Sequence, residues 1–158
     1  MTPAAPVQME INNKKKGRPQ KTSNPKSEAQ RGSETILIAD DEKVLRELAG
    51  ELLEGLGYSV LLASDGEEAV LAFEAAEGSI DLVILDLIMP VVDGLAAYKQ
   101  IHSFGRKVPV IFMTGYGAGT PETDLLEKEG AVLIAKPYEI DELGRRVREV
   151  LDRAKRDE

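Results

Sequence analysis

The sequence contains no cysteine and no tryptophan, and only 4% of its 158 residues are aromatic. Without cysteine the chain forms neither a disulfide framework nor a metal site with thiolate ligands, and this favours a reducing compartment, so we expect a cytoplasmic protein. No apolar run approaches the roughly 20 residues that span a bilayer, and the N terminus lacks the apolar stretch of a secretion signal. We therefore expect no membrane insertion, and the length favours one domain with an additional tail.

Charge is distributed unevenly along the chain. Residues 1–33 include seven basic and two acidic residues, whereas residues 34–158 include 13 basic and 26 acidic residues. The first segment is rich in proline and polar residues and has too few apolar side chains to bury a core. We predict a disordered basic tail or linker at 1–33 and a folded acidic domain at 34–158, whose charge argues against nonspecific nucleic-acid binding.

From Glu34 onwards, short apolar runs alternate with amphipathic stretches. This alternation is typical of repeated strand–helix units and a parallel sheet, and five units fit between about residues 34 and 155. Helical spacing predicts that the following residues face the core: Leu45, Leu48, Leu52 and Leu56 in the first helix, Leu125 and Leu126 in the fourth, and Ile140, Leu143, Val147 and Val150 in the fifth. The prediction is an α/β protein with a flavodoxin-like, doubly wound (βα)5 parallel sheet in the strand order 2-1-3-4-5.

Polar side chains stand where four of the predicted strands end. Asp40 and Asp41 follow the first strand, Asp86 ends the third, Thr114 ends the fourth, and Lys136 follows the fifth. Ligands of such sheets bind beyond the carboxyl ends of the strands, so we expect these groups to form one site. Carboxylates that lie close together in a partly dry site need a proton, a cation or a cationic side chain nearby.

The expected site suits phosphoryl chemistry with Mg²⁺. This ion prefers hard oxygen ligands and is usually held by one or two carboxylates together with a phosphate oxygen, and the three aspartates supply such ligands. Asp86 stands alone at its strand end and is the best candidate for a nucleophile that attacks an activated phosphoryl group. Lys136 offers a mobile positive charge, Thr114 offers a hydrogen bond, and Gly115 leaves the approach to the phosphoryl group open.

These residues resemble the receiver domains of two-component response regulators, over about residues 34–155. The segment from Ile36 to Glu42 resembles the acidic-pocket strand of the family, and the segment from Leu85 to Gly94 resembles its phosphoacceptor motif. Met113-Thr114-Gly115 resembles the strand end that carries the switch hydroxyl. Lys136-Pro137 resembles the family's lysine followed by a cis peptide.

The resemblance implies a role for each matched residue. Asp86 would be the phosphorylated aspartate and a Mg²⁺ ligand, Asp41 a direct ligand, Asp40 a ligand through water, and the backbone carbonyl of Ile88 a further ligand. The phosphodonor would be a phosphohistidine of a sensor histidine kinase or of a phosphotransfer protein. Output would be onward phosphotransfer or the docking of a downstream protein on the face formed by helix 4, strand 5 and helix 5. Such a domain assists its own phosphorylation and dephosphorylation, and we class it as a signalling module and not as a turnover enzyme.

The sequence departs from the family pattern at the switch position. The residue three before the lysine is usually an aromatic that turns inward on phosphorylation, but here it is Leu133. Because leucine has no ring to move towards Thr114, we hypothesise that phosphorylation mainly reshapes the loop at 115–119 and the helix after it. Ile88 and Tyr116 flank the route of water to the acyl phosphate, and neither orients water as a carboxylate or an amide would, so we predict slow loss of the phosphoryl group.

Other interpretations concern phosphorylation itself and the tail. A pseudo-receiver that binds partners without phosphorylation would be expected to have an eroded acidic site, and this site is intact.

Residues 14–21 resemble an AT-hook, which would place Arg18 in the minor groove of DNA. A solvated basic linker is the favoured interpretation of that segment. Residues 32–35 resemble the start of receivers that lie at the C-terminal end of hybrid sensor kinases.

Overall fold

A computed structural model describes residues 28–115 and 120–157. The strands are β1 Thr35–Ala39, β2 Ser59–Ala63, β3 Leu82–Asp86, β4 Val110–Thr114 and β5 Val132–Ala135. The helices are α1 Lys43–Gly55, α2 Gly66–Ala75, α3 Gly94–His102, α4 Pro121–Lys128 and α5 Ile140–Arg156. Of the tail predicted to be disordered, residues 1–33, the segment 1–27 lies outside the described residues, as do the proposed DNA contact of Arg18 and Tyr116.

The five strands form one sheet in the order β2-β1-β3-β4-β5, and every pair of neighbours is parallel. The predicted fold class and strand order are therefore confirmed. β3 and β4 are buried along their whole length because helices cover both faces of the sheet. β2 and β5 form the two edges.

Alternating side chains of the strands divide the core into two clusters. One cluster packs Leu37, Leu85 and Phe112 against α2, α3 and Leu126 of α4. The other cluster packs Ile38 and the strand side chains on the opposite face of the sheet against α1 and α5. Successive side chains of a strand point to opposite faces, so one apolar run supplies both clusters.

The prediction of a core position is wrong for three residues. Leu48 of α1 is 44% exposed, and the buried residues of this helix are Ala49, Gly50 and Leu53. The small residues face the sheet because the helix approaches β2 closely, and a Cβ added at Gly50 would lie 3.3 Å from Leu62. Leu125 of α4 and Ile140 of α5 are also exposed, whereas Leu126, Leu143, Val147 and Val150 are buried as predicted.

The N-terminal arm, residues 28–33, packs against the domain. The Gly32 amide donates to the Leu56 carbonyl (3.1 Å), and the Tyr58 hydroxyl donates to the Gln30 carbonyl (2.9 Å). The guanidinium of Arg148 in α5 donates to the Arg31 carbonyl (3.1 Å). Residues 30–32, which the composition assigns to the tail, therefore form hydrogen bonds with the folded domain.

Within the described ranges, no helix combines the length and the apolar character that crossing a membrane requires. The longest helix, α5, is strongly amphipathic. Its buried side is apolar and its last turn carries Arg153, Lys155 and Arg156.

Candidate functional site

The parallel sheet brings the predicted site residues to its carboxyl edge. Asp86 and Thr114 are the last residues of β3 and β4, and Asp40 and Lys136 directly follow β1 and β5. The backbone fixes this arrangement, since the Lys136 amide donates to the Thr114 carbonyl (2.8 Å). Asp40, Asp86 and Thr114 are all buried.

Lys136 is the cation that holds the carboxylates together. Its Nζ donates to Asp86 Oδ2 (2.7 Å) and Glu42 Oε1 (3.0 Å), and it forms an ion pair with Asp40 Oδ2 at 3.0 Å. Only 1% of Asp40 and 6% of Asp86 are exposed, so their charges are shielded from solvent. Of the three kinds of compensation that the sequence leaves open, this geometry supplies a cationic side chain. The peptide bond between Lys136 and Pro137 is cis.

Two groups of the site have shifted pKa values. The charged form of Asp40 is disfavoured, whereas the ammonium of Lys136 is stabilised. Burial raises the pKa of Asp40, and the charge of Asp86 adds to this effect, against the Glu42 amide and Lys136, which lower it. Burial opposes the charged form of Lys136, but the hydrogen bonds from its ammonium to Asp86 and Glu42 and its ion pair with Asp40 outweigh that effect and raise its pKa.

Three carboxylates are close enough to share one cation. Asp40, Asp41 and Asp86 each offer an oxygen, and these oxygens lie within 4.8 Å of one another. Asp41 is exposed, so the cluster opens to solvent on one side while Asp40 and Asp86 form its buried wall. Hard oxygen donors with access to water fit Mg²⁺, which keeps several waters when bound.

The loop after β3 positions the rest of the site. The Ile88 amide donates to Asp86 Oδ1 (3.2 Å), and the Asp93 side chain caps α3 by accepting from the Ala96 amide (2.9 Å). A Cβ at Gly94 would overlap the carbonyl oxygen of Asp86, so glycine allows α3 to begin directly against this strand. The metal-ligand role of the Ile88 carbonyl stays a prediction.

The opposite side of the site is formed by the ends of β4 and β5. Thr114 is buried beside the cluster, and Gly115 is exposed with open space around the position of a Cβ. Leu133 is half-buried, pairs with Phe112 across the two strands, and packs against the cluster that contains Leu126. Leu133 of β5 therefore packs against the same apolar cluster to which Leu126 of α4 belongs.

Sequence reasoning missed two residues of this region. Glu42 was noted only as part of the acidic motif, yet its carboxylate accepts from Lys136. Tyr138 follows Lys136 by two positions, and its hydroxyl is buried near the site. A third consecutive acid after β1 and an aromatic hydroxyl close to the lysine were the available signals.

The fold and the site define a flavodoxin-like α/β protein in which the carboxyl edge of the sheet is acidic and contains a half-buried lysine, Lys136. A family model described as the response regulator receiver domain matches residues 36–148. The chain belongs to the response regulator receiver domain family, as the sequence motifs predict.

Individual relatives support the same assignment. The chain is 37% identical over 121 residues to a probable transcriptional regulator, ycf27, of Pyropia yezoensis, a match that covers 77% of this chain and 49% of that protein. The receiver domain of the hybrid histidine kinase CckA has 38% identity and a TM-score of 0.64, with 74% of this chain and 98% of that chain covered. A chain of the CheX–CheY–BeF3–Mg²⁺ complex of Borrelia burgdorferi has 31% identity and a TM-score of 0.67, with coverage of 74% and 88%. The chain spans about half the length of the curated relatives that it matches.

Proposed function

We propose that the domain is a phosphoacceptor of a histidine-to-aspartate relay and that Asp86 is phosphorylated in the presence of Mg²⁺. The observation that carries this proposal is the position of the Asp86 carboxylate. It lies at the end of a buried strand, 2.7 Å from Lys136 Nζ, and within 4.8 Å of carboxylate oxygens of Asp40 and Asp41. A nucleophilic carboxylate, a mobile cation and a set of hard oxygen ligands are the groups that phosphoryl transfer to aspartate requires.

Each group of the site has a distinct task in this proposal. An oxygen of Asp86 forms the new bond to phosphorus while the bond from phosphorus to the donor's imidazole nitrogen breaks, and the imidazole leaves with that electron pair. Lys136 moves its ammonium from the carboxylates to the incoming phosphoryl oxygens, and the Thr114 hydroxyl donates to them. Asp41, Asp86 and the Ile88 carbonyl, together with Asp40 through water, would hold Mg²⁺, which would neutralise charge on the transferred oxygens.

The direct test is intact mass spectrometry after incubation with a small phosphodonor, such as acetyl phosphate, and Mg²⁺. We expect the wild type to gain one phosphoryl group and Asp86→Asn to gain none. Asp124→Asn, which changes an exposed acid of α4, is the matched control and should be modified like the wild type. Absence of phosphorylation in the folded wild type would contradict the proposal and would leave the pseudo-receiver interpretation.

The proposed phosphodonor is a sensor histidine kinase or a phosphotransfer protein, and the proposed output face is formed by α4, β5 and α5. Leu125 of α4 is 55% exposed on this face, where a downstream protein is able to cover it. Because the switch position carries Leu133 and not an aromatic, we expect phosphorylation to act on residues 115–128. Amide exchange with and without a beryllofluoride mimic tests this, and protection changes confined to other segments would contradict it.

The proposal also covers the role of the basic tail and the location of the protein, and for both the argument comes from the sequence. Residues 1–27 contain the AT-hook-like segment with Arg18. Salt-sensitive binding to A·T-rich duplex DNA that is lost on deleting residues 1–27 would favour a DNA contact, and equal weak binding to any polyanion would favour a basic linker. The absence of cysteine supports a cytoplasmic location.

A further inference from the structure

Two buried side-chain oxygens lack a hydrogen-bond partner among the residues that the structure describes, Asp40 Oδ2 and the hydroxyl of Tyr138. Asp40 Oδ2 is compensated by the ammonium of Lys136, 3.0 Å away. The hydroxyl of Tyr138 has no comparable neighbour, and a buried polar group without a partner is destabilising. This hydroxyl therefore requires an explanation that the packing of its ring does not provide.

Tyr138 lines an apolar cavity that two residues of the acidic site, Glu42 and Lys136, also line. It follows Lys136 by two residues in the segment that joins β5 to α5, and its ring packs against the core cluster under α1 and α5. The cavity has a volume of about 350 Å³ and is lined by Leu45, Ala49 and Leu52 of α1, and also by Glu42 and Lys136 of the site. The cavity thus extends along α1, where the exposed Leu48 also lines it, to the groups that surround the carboxylates.

The shared cavity places Tyr138 beside the site, because Glu42 and Lys136 line the same space. Burial raises the pKa of Tyr138, the negative charge of Asp40 raises it further, and the charge of Lys136 lowers it. The hydroxyl is therefore within reach of the field of both groups, although neither forms a hydrogen bond with it. A phenylalanine would fill the apolar space equally well without burying an oxygen.

A hydrated cation would supply the missing partner. Mg²⁺ retains several water molecules in protein sites, and water bridges polar groups that are too far apart for a direct hydrogen bond. We propose that the Tyr138 hydroxyl is a positioning group of the Mg²⁺ site, which hydrogen-bonds water on the side of Asp40 when the site holds its ion. This inference rests on the proposed function, because it requires that the three aspartates bind Mg²⁺.

The substitution Tyr138→Phe tests the inference because it removes the hydroxyl and keeps the ring. Mg²⁺ alone is titrated into the full chain by calorimetry, and thermal unfolding is followed with and without Mg²⁺. We expect Tyr138→Phe to bind Mg²⁺ about fivefold more weakly than the wild type, the effect of one lost hydrogen bond. Its melting temperature without Mg²⁺ should be equal to or higher than that of the wild type, since an unpartnered hydroxyl has been removed.

Tyr98→Phe is the matched control. Tyr98 belongs to the cluster on the opposite face of the sheet, where its ring lies 5.3 Å from that of Phe112, and this variant should bind Mg²⁺ like the wild type. Unchanged Mg²⁺ affinity in Tyr138→Phe would overturn the inference, and so would an equal loss of stability with and without Mg²⁺, which indicates packing alone. Asp41→Asn separates the two proposals: weakened binding in that variant supports the metal site itself, whereas a wild type that binds no Mg²⁺ refutes both.

Discussion

Replacement of Lys136 by methionine is the perturbation whose effect the structure defines best. The variant keeps most of the aliphatic side chain and removes the ammonium that lies 2.7 Å from Asp86 and 3.0 Å from both Asp40 and Glu42. Asp40 and Asp86 would then be two buried carboxylates without a compensating charge. We expect a large loss of stability in the absence of Mg²⁺.

The magnitude follows from the contacts of the ammonium. At an effective dielectric constant of about 20, each pair at 2.7–3.0 Å contributes about 5.5–6 kcal/mol of attraction before desolvation. Burial of Lys136 opposes this attraction, and the side chain of Glu42 is 60% exposed, so that pair adds less than about 1 kcal/mol. Removing one partner of a buried ion pair costs about 3–5 kcal/mol, and we expect Lys136→Met to lower the free energy of unfolding by about 3 kcal/mol.

The assay is urea unfolding followed by circular dichroism at pH 7. Lys128→Met, which removes an exposed charge in α4, is the matched control and should change stability by less than about 0.5 kcal/mol. Millimolar Mg²⁺ should restore part of the stability lost in Lys136→Met, because a bound cation compensates the same carboxylates. A loss below about 1 kcal/mol, or an equal loss with and without Mg²⁺, would refute the reasoning.

The dependence on pH provides a second check. The folded-state pKa of Lys136 is raised above its ordinary value of 10.5, so its stabilising contribution is fully present below that pH and is lost as the pH rises through the folded-state pKa. The difference between wild type and variant should therefore be constant from about pH 7 to pH 9. It should decrease on acidification, because Asp40, whose pKa burial raises from 3.8, takes up a proton and no longer needs compensation. A difference that stays constant down to about pH 4 would contradict this account.

Three further predictions concern the ion pair between Glu34 and Arg148, the loop after β3 and the lifetime of the phosphoryl group. Hydrogen bonds from Arg148 lower the pKa of Glu34 from 4.5 to about 2, so Glu34→Gln should cost about 2–3 kcal/mol at pH 7, with the difference lost as the pH falls from 4.5 towards 2 in urea titrations. Val91 is 74% exposed at φ +67°, in a turn closed by a hydrogen bond from the Val92 amide to the Pro90 carbonyl. Val91→Gly should relieve this strain and raise the free energy of unfolding by about 1 kcal/mol, and a lower urea midpoint would contradict it. Ile88→Asn should shorten the lifetime of phosphorylated Asp86, measured by intact mass, by about threefold to tenfold because an amide orients water, and an unchanged lifetime would show that Ile88 does not govern access.

The site could be predicted from the sequence because its residues follow apolar runs. Asp86 and Thr114 directly end strands that are buried along their length, and in a parallel sheet such ends meet at one edge. The acidic motif and the lysine then identify the family, and the matching of residues 36–148 agrees with them. The order of the strands followed from the same alternation of strands and helices.

The remaining features could not be predicted, because they depend on contacts that leave no periodic signal. The arm is polar, and backbone carbonyls of Gln30 and Arg31 make its contacts, so composition placed it in the tail. Leu48 has the helical spacing of a core residue, but the close approach of α1 to β2 turns Ala49 inward and leaves Leu48 half-exposed. The position of the Tyr138 hydroxyl depends on how the segment after β5 folds back on the site.

Arg148 also holds residues near the two ends of the domain close together. Its guanidinium contacts the Arg31 carbonyl and Glu34 near the start of the domain and Asp152 in the last helix, while Lys155 lies 3.2 Å from Glu34. Residues near the start of the described domain are thus anchored beside residues of its last helix. A domain with adjacent termini tolerates circular permutation and insertion into a loop of a host protein. We therefore expect a permuted variant, in which a short glycine-rich linker joins residue 157 to residue 28, to fold and to present the same acidic edge.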